Sequence, residues 1–396
     1  MPYRLLHERE GFLPALKQIQ IPHCFSVDVP AIFVTLSNSI RYVEISGLND
    51  ENVEFSQTFL SLLGKRSPDI HHLVLRGWRW RGRAIDPSHI LAFRSLQRLE
   101  MAVDNPMPSP EFIKEMGNLG DLVGYVGGAT VTTPPIHLMP KPLPKPLCSP
   151  RKFCHLKDLK LTGTISAISS FLEFTCLTNL VSLMITQQEE STDIQIERCW
   201  VESFCKLDVS SFIESVEIVQ TYSSSLSNTS ISPLLRLRPL KHLRIEQGSF
   251  CATDTGIFEI LKSLPNLTRL SLPEEWHTFC PTITALVYIS SDNPKLNELK
   301  IPLAGDIEHS CSIMSELIDW TTREHYHSLP QLHLTTRYGQ LTPKQMVVFA
   351  QFLHRSFPLL SKLKGDGTYR ASESWVHVHE IQLALQAEAK FQNASN

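Results

Sequence analysis

The chain has 396 residues, of which 42% are apolar and 19% charged, a balance that excludes a disordered polypeptide and supplies ample material for a core. Its formal net charge of −3 excludes a molecule-wide field that would concentrate it on nucleic acid or an anionic membrane, so any such binding must be local. Nine cysteines, odd in number and without a Cys-x-x-Cys pair, read as reduced thiols; with no signal-peptide-like start and no run of about 18 apolar residues, they point to cytosol or nucleus and to no membrane association.

In chain order the dominant feature is a recurring L-x-x-L-x-L pattern. It appears as LKQIQI from Leu16, IRYVEI from Ile40, IHHLVL from Ile70 and LQRLEM from Leu96, then as LKDLKL from Leu156, LVSLMI from Leu180 and IESVEI from Ile213. It continues as LKHLRI from Leu240, LTRLSL from Leu267, LNELKI from Leu296 and LPQLHL from Leu329, and ends in a degenerate LSKLKG from Leu360. Successive starts lie between 24 residues (Leu16 to Ile40) and 33 residues (Leu180 to Ile213) apart, near the period of a leucine-rich repeat. The one double interval, Leu96 to Leu156, holds a diffuse copy around Leu119 and Leu122.

Proline recurs just ahead of the motif, in GFLPAL, SLPNL, DNPKL and SFPLL, where it ends a helix and extends the chain into the next strand. Each unit is therefore one strand and one helix. Asp254 is placed to cap a helix burying Ile257, Ile260, Leu261 and Leu264, and Pro343 to open one burying Met346, Val347, Ala350, Phe352 and Leu353. Val53, Phe55, Phe59, Leu60 and Leu63 form a similar stripe. No such helix hides its stripe alone, so the repeats must stack.

The expected fold is α/β: a leucine-rich-repeat solenoid with parallel strands in chain order and helices on the convex side. The horseshoe should be irregular, because the ninth position of a repeat, commonly Asn or Cys in this class, is here residues such as Trp78, Asp104 and Thr164. The expected organisation is repeats over 1–131, a proline-rich loop over 132–150, further repeats of the same solenoid over 151–371, and a closing helix and tail over 372–396. That helix should bury Trp375, Val378, Ile381 and Leu385.

Catalytic chemistry finds little support. Gly64-Lys65-Arg66-Ser67 resembles the end of a phosphate loop, but Phe59 stands where the first glycine would be. GYVGGAT from Gly124 lacks dinucleotide-binding spacing and reads as a flexible loop. The pairs His325/His327 and His377/His379 each supply two ligands at most, and His71 and His72 straddle a strand. The expectation is a protein that is not an enzyme and has no metal and no cofactor.

Binding has better candidates. Alternate strand positions leave a mixed-charge band on the concave face: Tyr42 and Glu44, His72 and Arg76, Arg98 and Glu100, Asp158 and Lys160, His242 and Arg244, Glu298 and Lys300. Such a band suits a folded protein or peptide rather than a polyanion. The loop after the third repeat, with Trp78, Arg79, Trp80 and Arg81, reads in three ways: side chains packed over neighbouring repeats, a protein-contact patch, or a single-strand nucleic-acid surface. Nucleic acid is the least favoured of these.

The second half carries a more specific likeness. DTGIFEILKSLPNLTRLSLPEEW, CPTITALVYISSDNPKLNELKIP, FAQFLHRSFPLLSKLKGDG and SESWVHVHEIQLAL resemble the repeats and closing helix of the F-box/leucine-rich-repeat family of mushroom-forming fungi. The similarity covers Leu156 to Leu385, and Leu5 to Met101 more loosely. It implies a substrate receptor of an SCF-type ubiquitin ligase, in which an F-box docks the adaptor and the repeats hold a target protein. The residues before Leu16 do not resemble an F-box, so the adaptor is expected as a partner only if one lies upstream of Met1.

Overall fold

The computed structural model describes residues 15–21, 36–46, 53–76, 87–102, 115–129, 151–153, 155–187, 200–202, 204–205, 207, 212–220, 225–246, 249–251, 253–273, 280–303, 307–320, 329–336, 341–366 and 369–395. The chain forms two compact units, one comprising Met1–Glu189 with Cys205–Phe212, the other Glu190–Phe204 with Ile213–Asn396.

In the first unit, strands β1 (Gln18–Ile21), β2 (Tyr42–Ile45), β3 (His72–Arg76), β4 (Arg98–Ala102), β5 (Gly124–Ala129), β6 (Asp158–Gly163) and β7 (Ser182–Gln187) pair in parallel and in chain order. Wherever the motif is regular, the strand opens two residues after its first apolar residue, so its second and third apolar residues fall on alternate, inward positions. Val43, Leu73, Leu99, Tyr125, Leu159 and Leu183 are matched in register and all buried. Slippage by one residue would turn this whole row outward, which is why the register is unambiguous. The backbone repeats as faithfully: the Lys17 carbonyl accepts the amides of Arg41 (2.8 Å) and Tyr42 (3.1 Å), and the carbonyls of Arg41, His71, Gln97, Val123 and Lys157 do the same for the strand that follows each.

The diffuse copy is β5. GYVGGAT is thus a strand and not a flexible loop. Tyr125 takes the place of the second leucine, fully buried and stacked on Phe171 (centroids 5.6 Å). Gly127 takes the place of the third, and a Cβ there would overlap the Tyr125 ring, so one large side chain fills the room of two. Among its described residues the unit also has helices α1 (Val53–Arg66), α2 (Pro87–Leu91) and α3 (Ile165–Phe174) and a short parallel pair, Arg151–Lys152 with Thr175–Cys176. Phe59, Leu60 and Leu63 of α1 are buried; the side chains of Val53 and Phe55 lie outside the described residues. The Gly64-Lys65-Arg66-Ser67 stretch ends α1 and serves packing: a Cβ on Gly64 would sit 2.7 Å from that of Ala92, and buried Ser67 donates to the Ser37 carbonyl (2.7 Å). The proline-rich segment 132–150 lies outside the described residues, yet β5 and β6 on either side of it pair directly from Gly124↔Asp158 to Ala129↔Gly163. It interrupts the chain without interrupting the sheet.

In the second unit, β8 (Ser215–Gln220), β9 (His242–Glu246), β10 (Arg269–Ser271), β11 (Glu298–Leu303), β12 (Gln331–Thr336) and β13 (Lys362–Asp366) again pair in parallel and in chain order. The longer helices among its described residues are α4 (Asp254–Ser263), α5 (Thr284–Asp292), α6 (Ile307–Trp320), α7 (Pro343–Ser356) and α8 (Tyr369–Ser395). Proline acts here as its position predicts. Leu264, Asn293 and Phe357 each stand before a proline, leave the helical region with ψ of 70, 78 and 68°, and accept the amide of the next motif's first leucine at 3.0–3.1 Å.

Two helix assignments are corrected. The cap of α4 is Thr253, whose hydroxyl accepts the Gly256 amide; Asp254 is the first helical residue, and its carboxylate instead holds the Thr282 amide and hydroxyl, both at 2.6 Å. In α7, Pro343 does open the helix, behind a Thr342–Gln345 capping box, but Phe349 rather than Met346 or exposed Val347 joins Ala350, Phe352 and Leu353 in the core.

Helix α8 closes the last repeat. Trp375 and Val378 are buried, whereas Ile381 and Leu385 are half-buried. Trp375 meets Phe349 edge-on (5.2 Å), donates from Nε1 to Thr336 Oγ1 (3.2 Å), and occupies the space a side chain on Gly365 of β13 would need. Gln382 and Gln386 donate to the carbonyl of Leu360, and Gln386 also to that of Pro358 (2.7 Å), so backbone acceptors of the terminal repeat are satisfied by side chains. This is the leucine-rich-repeat architecture, with strands in chain order and apolar motif positions facing the helices.

Candidate functional site

The outward strand positions of each unit form its open face. In the first unit they assemble one polar network across β1 to β4. Glu44 accepts from the Tyr42 hydroxyl (2.8 Å) and from Gln20 Nε2 (3.3 Å), and pairs with Arg76 Nε (3.4 Å). Glu100 accepts from Arg98 Nε (2.8 Å), lies 3.2 Å from His72 Nε2, and reaches a second nitrogen of Arg76 at 3.9 Å. Tyr42 and His72 meet edge to face, centroids 4.8 Å apart. Arg76 thus ties together two carboxylates whose strands flank β3 on either side, and Val74, matched in register with both glutamates, is buried although it points outward.

Depth distinguishes the two charges. Glu44 and Glu100 are only 18% and 17% exposed, while Arg76 and Arg98 are 53% and 55% exposed. Burial raises the Tyr42 pKa, with Glu44 adding to it, and burial lowers that of His72 against the pull of Glu100. At neutral pH both shifts keep the His72 imidazole and the Tyr42 phenol neutral. Further along this face, Asp158 and Lys160 stand two residues apart on β6, both exposed.

The second unit's face is built from shorter-range pairs. Arg244 pairs with Glu217 (3.6 Å) and with Glu246 on its own strand, and Arg269 pairs with Glu298 (3.3 Å). His242 has its pKa lowered by burial and by Arg269. Matched in register, Lys300, His333 and Lys364 form one row and Glu298, Gln331 and Lys362 the row beside it.

The structure therefore brings Tyr42, Glu44, His72, Arg76, Arg98 and Glu100 into one contact network and leaves Asp158 with Lys160, and His242, Arg244, Glu298 and Lys300, in separate neighbourhoods. Trp78, Arg79, Trp80 and Arg81 lie outside the described residues. Outward positions that escaped selection from the sequence include Glu217, Arg269, Lys362 and Lys364. The same alternation exposes them, but the degenerate last motif hid the two lysines.

Among the described residues, no three His, Cys, Asp or Glu side chains gather as a metal site would require, and no helix is long and apolar enough to cross a membrane. His377 pairs with Glu380 (3.1 Å) and His379 with Gln382 (3.2 Å); His325 and His327 lie outside the described residues.

No family model matches the chain, and no curated protein matches it. Among solved structures, the leucine-rich-repeat-containing protein LegL7 from Legionella pneumophila aligns with 92% of this chain and 97% of its own, at 8% identity and a TM-score of 0.41.

Proposed function

We propose that the chain is a non-enzymatic protein-binding scaffold that presents the open strand faces of its units to a folded protein or peptide. The supporting observation is the network on β1 to β4, in which ten or so side-chain atoms from four repeats are fixed in place by one another, leaving two arginine heads projecting. Long polar side chains on a merely solvated sheet have no reason to be ordered across four strands, because immobilising each costs rotamer entropy. A prearranged surface lowers what a partner must spend to order it.

The finer reading, the substrate-recognition part of an SCF-type ubiquitin ligase receptor, is supported by the resemblance of Leu156 to Leu385 to that fungal family. A standalone interaction protein without a ligase role is the alternative. Both use the same face.

The test uses the full chain and a balanced variant, Glu44→Gln with Arg76→Gln, Arg98→Gln and Glu100→Gln, which removes equal numbers of both charges and so leaves no buried ion unpaired. Partners retained by the unaltered chain are identified by mass spectrometry, purified and titrated directly by calorimetry. Binding should weaken roughly tenfold or more in the variant; equal affinity would remove this face from the function. For the receptor reading, the half-life of that partner should lengthen when the chain is deleted from the cell, and an unchanged half-life would leave a scaffold alone.

A further inference from the structure

The open face of β10 to β13 differs from the rest in its charge. Among the outward positions whose side chains are described it carries Arg269, Lys300, Lys362 and Lys364 against Glu298, and Glu298 is already held by Arg269 at 3.3 Å. On β1 to β4 the corresponding count is two arginines to two glutamates, all interlinked. Lys362 and Lys364 are both exposed and stand two residues apart on the last strand, while Lys300 lies in the same row as Lys364, with His333 between them.

We infer that this face docks an acidic segment of a partner protein, lying extended along β13; the inference deepens the scaffold reading above and rests on it. The spacing suits such a ligand. Lys362 and Lys364 are separated by roughly 7 Å along their strand, the distance between alternate side chains of an extended peptide, and Lys300 and Lys364 by roughly 10 Å across two strands. Two acidic residues at positions i and i+2 can therefore meet the β13 pair. A polyphosphate chain is a poorer fit, because Glu298 interrupts the positive field and the whole molecule is net negative.

The experiment is fluorescence anisotropy on the full chain with three labelled decamers: an alternating Glu-Ser peptide, its Lys-Ser counterpart, and single-stranded DNA. The acidic peptide should bind, the basic one should not, and DNA should bind more weakly than the acidic peptide. Lys362→Gln with Lys364→Gln, at two exposed positions, should leave the thermal transition in place and cost roughly tenfold in acidic-peptide affinity. Arg76→Gln with Arg98→Gln, on the other unit, should change it by less than about twofold. The inference is overturned if the acidic peptide does not bind, if both double variants lose binding equally, or if DNA binds more tightly. Loss of acidic-peptide binding alongside intact partner capture would sink this assignment while leaving the scaffold reading standing.

Discussion

The two units follow one strand motif and resolve its exceptions by opposite means. In the first, β5 lacks a third inward side chain at Gly127, and Tyr125 of the same strand folds over the vacancy, stacked on Phe171 of the unit's own helix. In the second, β13 lacks one at Gly365, and the filling comes from elsewhere in the chain: Trp375 of helix α8 enters the core there. Their faces diverge likewise. Carboxylates on β1 to β4 are covered and shared among several donors, whereas Glu298 on β11 is half exposed and holds one arginine. A repeat can thus be completed from within, which makes it self-contained, or from outside, which makes its stability depend on the docking of another element.

The largest expected effect breaks the core half of this contrast. Trp375→Ala should cost about 3–5 kcal/mol, since it removes a buried ring, its edge contact with Phe349 and its bond to Thr336. Adding Gly365→Leu should refill the cavity in part, yet amide exchange along α8 should stay fast, because the helix has lost its anchor. In the first unit, Tyr125→Leu should cost about 2 kcal/mol and the added Gly127→Leu should recover most of it, since together they restore the ordinary motif within one strand. Urea unfolding of the four variants measures this. If the Gly127→Leu addition deepens the loss instead, β5 is not a leucine repeat with a substituted filling.

What the sequence made legible follows the same division. Leucine spacing determined the strands, their order and their register, because inward alternation tolerates no slippage, and prolines after helices marked where each strand begins. Strand β5 was obscured because tyrosine and glycine share a volume normally supplied by two leucines, a trade visible only when both are placed. Thr253, not Asp254, caps α4 because aspartate found a better partner in Thr282, a residue of the next repeat. The open-face candidates stand at outward strand positions, but periodicity does not say which of them touch. Arg76 spanning Glu44 and Glu100 depends on side-chain reach across three strands, and no local pattern encodes that.

A smaller effect sharpens the contrast between faces. A double-mutant cycle on Arg98 and Glu100, each replaced by its closest neutral analogue, should give a coupling of about 1 kcal/mol, because Glu100 is mostly covered and also engages His72 and Arg76. The same cycle on Arg269 and Glu298, 63% and 47% exposed, should give less than about 0.5 kcal/mol and vanish in about 0.5 M salt. Equal couplings would mean that the first face is no more organised than the second.

The smallest effect concerns acid. His72 faces Tyr42 and Glu44 from β2, Arg98 and Glu100 from β4, and Arg76 from its own strand, and burial holds its pKa below the ordinary value of 6.5. His242 and His354 are lowered in the same direction and for the same first reason. A histidine whose folded pKa is depressed binds its proton more readily when unfolded. Its contribution to stability is therefore complete above 6.5, declines as pH falls toward the folded value, and is flat below that. The thermal midpoint should thus drop between pH 7.5 and about 5, and His72→Gln should make that drop shallower while leaving the midpoint at pH 7.5 within about a degree or two. Because Glu100 pulls the other way, the His72 share should grow if Glu100→Gln is introduced first: without that carboxylate the imidazolium has burial and Arg98 against it and only Glu44 for it. The order of those two slopes tests whether the network on β2 to β4 acts as a unit, since independent side chains would give the same histidine contribution with or without the glutamate.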